Sequence, residues 1–138
     1  MKLSTVANKV IALGEKIRDY WERELPRRHP DYPIVNPGED SGPPPPEEKK
    51  LRKYLESLPE DVVYKLLLLM YLGQGIVHTD RLADHYQALR DEIGTPGEAV
   101  ALVEKGAVTE AISRGLEELK RNNIDPDALT FASARSRP

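Results

Sequence analysis

Cysteine is absent from this chain of 138 residues. That excludes a disulfide framework, a thiolate metal site and a thiol nucleophile, and it makes the cytoplasm the simplest compartment. An excess of charge of one sign is missing too. Twenty lysines and arginines stand against 23 aspartates and glutamates, for a net charge of −3 with both signs interspersed. Such a chain sets up no field to draw in a polyanion, so nucleic acid is not an expected partner. The N-terminal stretch MKLSTVANKVIALGEKIRDYWE turns charged again within a few residues. It lacks the uninterrupted apolar region and small-residue cleavage site of a signal peptide, and export is not expected. No segment alternates apolar and polar residues as a half-buried strand does, and no segment repeats.

What is present is helical periodicity around one loud apolar passage. Between residues 62 and 72 only Lys65 is polar. Eleven helical residues rise about 16 Å, roughly half of a hydrocarbon core, so the run cannot span a membrane alone. Its leucines favour helix over strand, and Ser57-Leu58-Pro59-Glu60 has the form of a capping box with Ser57 as N-cap. Gly73 falls where such a helix should stop, which makes GQG a C-cap and turn. A phosphate loop would place its glycines after a strand and before a helix, a context missing here.

Leu3, Val6, Val10, Leu13, Ile17 and Tyr20 recur at spacings of three and four, forming one narrow seam on a first helix over residues 5–24, with Ser4 as N-cap and Trp21 and Ile11 widening the seam. The seam packs inside the protomer or pairs two copies, so a homodimer through this helix stays open. Residues 26–46 hold eight of the twelve prolines. They form an extended connection, with a short polyproline segment that also suits an aromatic groove on a protein partner. Further helices are expected over residues 47–57, from Thr79 and Asp80 to a stop at Gly94, from Thr95-Pro96-Gly97-Glu98 to about Lys105, and beyond Gly106, where Val108, Ala111, Ile112, Leu116 and Leu119 form a stripe. Gly115, in the middle of that last helix, marks a close helix crossing. The tail from Asn122 shows little periodicity.

The stretches LSTVANKVIAL, LLLLMYLGQG and TPGEAVALVEKGAVTEAISRGLEEL together resemble a bacterial family of small hypothetical proteins, the domain of unknown function numbered thirty-seven seventy-five. The matching positions are Leu72-Gly73-Gln74-Gly75, Thr95 and Gly115-Leu116, and the likeness covers most of residues 3–119. The resemblance implies a first helix, a variable insertion, an aliphatic helix ending in a Leu-Gly-x-Gly turn, and a C-terminal helix. It implies no activity, cofactor or catalytic residue. Two departures stand out: Gln74 and Ile76 occupy positions that are often charged in the family, and the tryptophan often found after that turn is missing.

Chemistry-bearing groups are few. His78, Asp80, Asp84 and His85 cluster in sequence, and on a helix from Asp80 the two aspartates share a face while His85 is turned about 100° away. The binding candidates are Gly73, Gln74, Gly75, His78 and Asp80, with no catalytic set, no metal set and no cofactor assigned. The serines lack a nucleophile-elbow context, and Glu47-Glu48 and Glu117-Glu118 point to different helix faces. The expectation is an all-α bundle of five or six helices around a central buried helix, with a single domain over residues 1–124, a proline-rich loop after the first helix, and a loose tail over residues 125–138. Functionally, a non-enzymatic interaction or assembly domain leads, with small-ligand or metal-dependent activity at the turn joining Gly73 to Asp80 as the alternative.

Overall fold

The computed structural model describes residues 2–28 and 44–131, so most of the proline-rich connection and the residues from 132 onward lie outside the described residues. The described residues form an all-α bundle without a strand: α1 (Leu3–Arg28), α2 (Pro46–Ser57), α3 (Glu60–Gly73), α4 (Leu82–Glu92), α5 (Pro96–Ala107) and α6 (Ala111–Arg121). Short 3-10 turns lie at Thr79–Arg81 and Pro126–Ala128.

The aliphatic run makes α3 the central rod. Val62, Val63, Tyr64, residues 66–70 and Leu72 are all buried. Burying a leucine or valine side chain is worth roughly 1.5–3 kcal/mol, so this one helix anchors the core. Lys65 snorkels out of it, its Nζ donating to the Leu129 carbonyl at 2.9 Å and lying 3.9 Å from Asp61. Helix α6 lies closest to α3. A Cβ on Gly115 would overlap the Leu69 carbonyl, and one on Gly73 would overlap the Ala111 carbonyl, so the two backbones nearly touch at the crossing expected at Gly115. Helix α4 is bolted on through Arg90. Its guanidinium pairs with Glu60 at 3.2 Å and lies over the Tyr64 ring at 4.7 Å, while the Tyr64 hydroxyl donates to the Ile93 carbonyl at 2.9 Å.

Several boundaries differ from the expected ones. The Ser57 capping box is not formed: Pro59 biases Leu58 away from helix, α3 starts at Glu60, and the Ser57 hydroxyl donates back to the Tyr54 carbonyl at 2.6 Å. The stop of α3 is also displaced. Gly73 remains helical at the α6 crossing, and Gly75 takes the left-handed position with φ 77°. The Gly75 N–H donates to Leu72 O at 3.1 Å and the Ile76 N–H to Tyr71 O at 2.9 Å, the paired bonds of a Schellman turn. Helix α1 continues past residue 24 because Pro26 sits exposed in the last turn, where one lost ladder bond costs less than in the interior.

Thr95 does cap α5, its hydroxyl oxygen accepting from the Glu98 N–H at 3.2 Å. Gly106, expected to end that helix, is buried within it against the Met70 sulfur, and Thr109 makes the turn instead. The Thr109 hydroxyl donates to the Gly106 carbonyl at 2.6 Å and accepts from the Ala111 N–H at 3.1 Å. The stretch 125–131 is not a loose end. The Asp127 carboxylate accepts from the Ser4 N–H at 2.8 Å and from its hydroxyl at 2.7 Å, so it, rather than Ser4, satisfies the N-terminus of α1. Phe131 stacks on Tyr86 with centroids 4.5 Å apart.

Candidate docking groove

The expected binding residues lie strung along the connection from α3 to α4 without converging. Gly73 faces α6, Gln74 is the exposed C-cap, Gly75 makes the turn, and His78 and Asp80 are exposed. Asp84, expected to share a site with Asp80, pairs with Arg81 at 3.3 Å instead. Among the described residues no three His, Cys, Asp or Glu side chains stand close enough to hold a metal ion. His85 is partly buried, with Nε2 inside and no hydrogen-bond partner. No described helix is long and apolar enough to cross a membrane.

A concavity lies elsewhere, an open groove of about 900 Å³ between α1 and α5 with α2 as its floor. Its origin is a wedge. Helices α1 and α5 touch where a Cβ on Gly14 would overlap the Ala107 carbonyl, and the groove lining runs outward from that contact to Leu25 on α1 and Glu98 on α5. The first wall is Ile17, Arg18, Trp21, Glu22 and Leu25, one face of α1 at helical spacing. Ala101, Leu102, Lys105 and Val108 stand opposite, and Leu51 lies beneath. Most of the a/d seam is spent inside the protomer, with Leu3, Val6, Val10 and Ile17 buried and Leu13 and Tyr20 partly exposed.

Four polar groups along the groove satisfy one another in pairs. The Trp21 indole N–H donates to Glu48 at 2.7 Å, and Tyr20 packs edge-on against the same ring at 5.1 Å. Arg52 holds Glu104 through Nε at 3.0 Å and Nη2 at 3.2 Å, and this pairing raises the arginine further above its ordinary pKa. Small-molecule sites converge a few polar groups on the ligand, whereas these four are engaged crosswise, and Trp21, Leu25, Leu102 and Val108 give the walls their apolar stretches. Sequence reasoning noticed Trp21 only as a widening of the seam and missed Leu25 and Leu102. The available signal was their position off the buried faces: Trp21 and Leu25 are four apart, and Leu102 stands outside the Ala99, Val103 and Gly106 stripe.

No protein-family model, curated protein or solved structure matches this chain.

Proposed function

We propose that this chain is a non-enzymatic protein-interaction domain, working in the cytoplasm, that receives an apolar helical face in the groove between α1 and α5. The observation that carries the reading is the partly exposed apolar lining of Trp21, Leu25, Leu102 and Val108, with Glu48 held by Trp21 and Arg52 by Glu104 beside it. A groove walled by two helices suits the face of a third, read at spacings of three and four. Membership in the family of unknown function is proposed with it. What supports that is the packing of its two glycine motifs, Leu72-Gly73-Gln74-Gly75 and Gly115-Leu116, against each other at the α3–α6 crossing.

A photo-crosslinking residue placed at Leu102 tests the docking reading in living cells, with the same residue at exposed Ala83 as control. The expected result is a discrete adduct with one protein chain from position 102, absent at 83 and abolished by Leu25→Arg. Equal adduct patterns from both positions would overturn the reading.

A further inference from the structure

We infer that the occupant of the groove is a second copy of this chain, docked groove to groove about a two-fold axis with the two α1 helices antiparallel. The inference rests on the docking reading above and deepens it by naming the partner.

The argument comes from where charge falls along the groove. Helices α1 and α5 touch at Gly14 and Ala107, at one end of the groove lining. Measured outward along α1, Arg18 lies one turn beyond the crossing and Glu22 two turns. Along α5, Lys105 stands within a turn of the crossing, and Glu98 is two turns and a half away. Both walls thus carry their basic residue near the Gly14–Ala107 contact and their acidic residue far from it. All four side chains line the groove, and none of them enters an ion pair among the described residues. The remaining charged lining is spoken for, Glu48 by Trp21 and Arg52 by Glu104.

A groove that is basic at one end and acidic at the other is complementary to itself reversed. A two-fold axis across it lays the Arg18 and Lys105 end of one copy over the Glu22 and Glu98 end of the other, twice by symmetry. The same rotation brings the exposed parts of Trp21 and Leu25 of each copy against the apolar wall of its partner. Balanced charge arranged in this way recruits neither a strongly acidic nor a strongly basic partner, and unlike ends steer the register of a like one.

Sedimentation equilibrium of the full chain, with Trp21 emission as a second readout, tests the inference. Trp21 is the sole tryptophan, so its spectrum reports this face alone. The wild type is expected to move from a 15.5-kDa species to twice that mass with concentration, with a blue shift of emission. Arg18→Glu and Glu22→Arg should each weaken pairing about tenfold or more. An equimolar mixture of these two variants should recover it as a heterodimer, since each copy then offers the other what it lacks. Circular dichroism confirms that both variants keep their helices.

A wild type that stays monomeric to about 0.5 mM, an affinity too weak for a specific dimer, overturns the inference. So does a dimer indifferent to both reversals. If that monomer nevertheless gives a discrete Leu102 adduct with a different chain, the groove belongs to another protein and the docking reading stands. If it gives no such adduct, both fall.

Discussion

At the residue scale, the two glycines of the Leu-Gly-x-Gly turn have opposite physical jobs, which spacing alone leaves indistinguishable. Gly75 has open space around its missing Cβ and is required only for its φ of 77°. Gly75→Ala is expected to cost about 1–2 kcal/mol, the steric price of a left-handed L-residue. Gly73 has an ordinary helical backbone, but a Cβ there would overlap the Ala111 carbonyl and force α3 from α6. Gly73→Ala should therefore cost more, roughly 3 kcal/mol, and urea denaturation of the two variants checks the order. Equal losses would mean that the helices part freely. A second residue-scale prediction concerns Arg90, whose side chain is 14% exposed and whose contacts include Glu60, Tyr64 and the Tyr86 hydroxyl. Arg90→Ala should cost roughly 2–3 kcal/mol through stacking and buried hydrogen bonds, against about 1 kcal/mol or less for Glu60→Ala, since its side chain is the more exposed of the pair.

At the scale of elements, the N-terminus of α1 is held by a carboxylate 123 positions away in the chain. Local pattern assigns Ser4 as its own helix's cap, because a serine near a helix start is the local signal. No local signal points to Asp127. The same limit explains the tail: residues 125–131 lack periodicity, yet they pack through single contacts at Ser4, Lys65 and Tyr86. By contrast, the Thr95 cap and the apolar run of α3 were legible because their partners lie within a few residues or are simply the core. The Ser4 backbone and hydroxyl bonds hold the Asp127 carboxyl below its ordinary pKa of 3.8. A depressed carboxylate contributes its stabilisation above the unfolded value and loses it as pH falls through the folded one. The Ser4 amide should thus be protected from exchange at neutral pH and lose protection progressively below pH 3.8. Asp127→Asn should remove that pH dependence, and amide exchange followed by NMR reads both.

For the whole molecule, core and groove lining are segregated, and that makes the proposed docking separable from folding. Residues 66–70 of α3 are each at most 4% exposed, enclosed by the other helices, whereas Leu25 and Leu102 are only partly buried on the far rims of the wedge. This segregation was half visible beforehand. A run that is apolar all round must be central, but a groove depends on where α1 and α5 meet, and they meet at Gly14 and Ala107, positions distant in the chain. The physical consequence is a difference in cost. Leu67→Ala leaves a cavity in a close-packed interior and should cost about 3 kcal/mol. Leu102→Arg keeps its long side chain at the rim, where the guanidinium reaches water, and should cost about 1 kcal/mol or less. Thermal denaturation of these two variants beside wild type, paired with sedimentation of Leu102→Arg at the same concentrations, decides whether the wedge is surface or structure. A cooperative melt near that of wild type with pairing lost places association in the groove. An unfolded Leu102→Arg would make the wedge part of the core, because only a residue needed for packing can take the fold down with it.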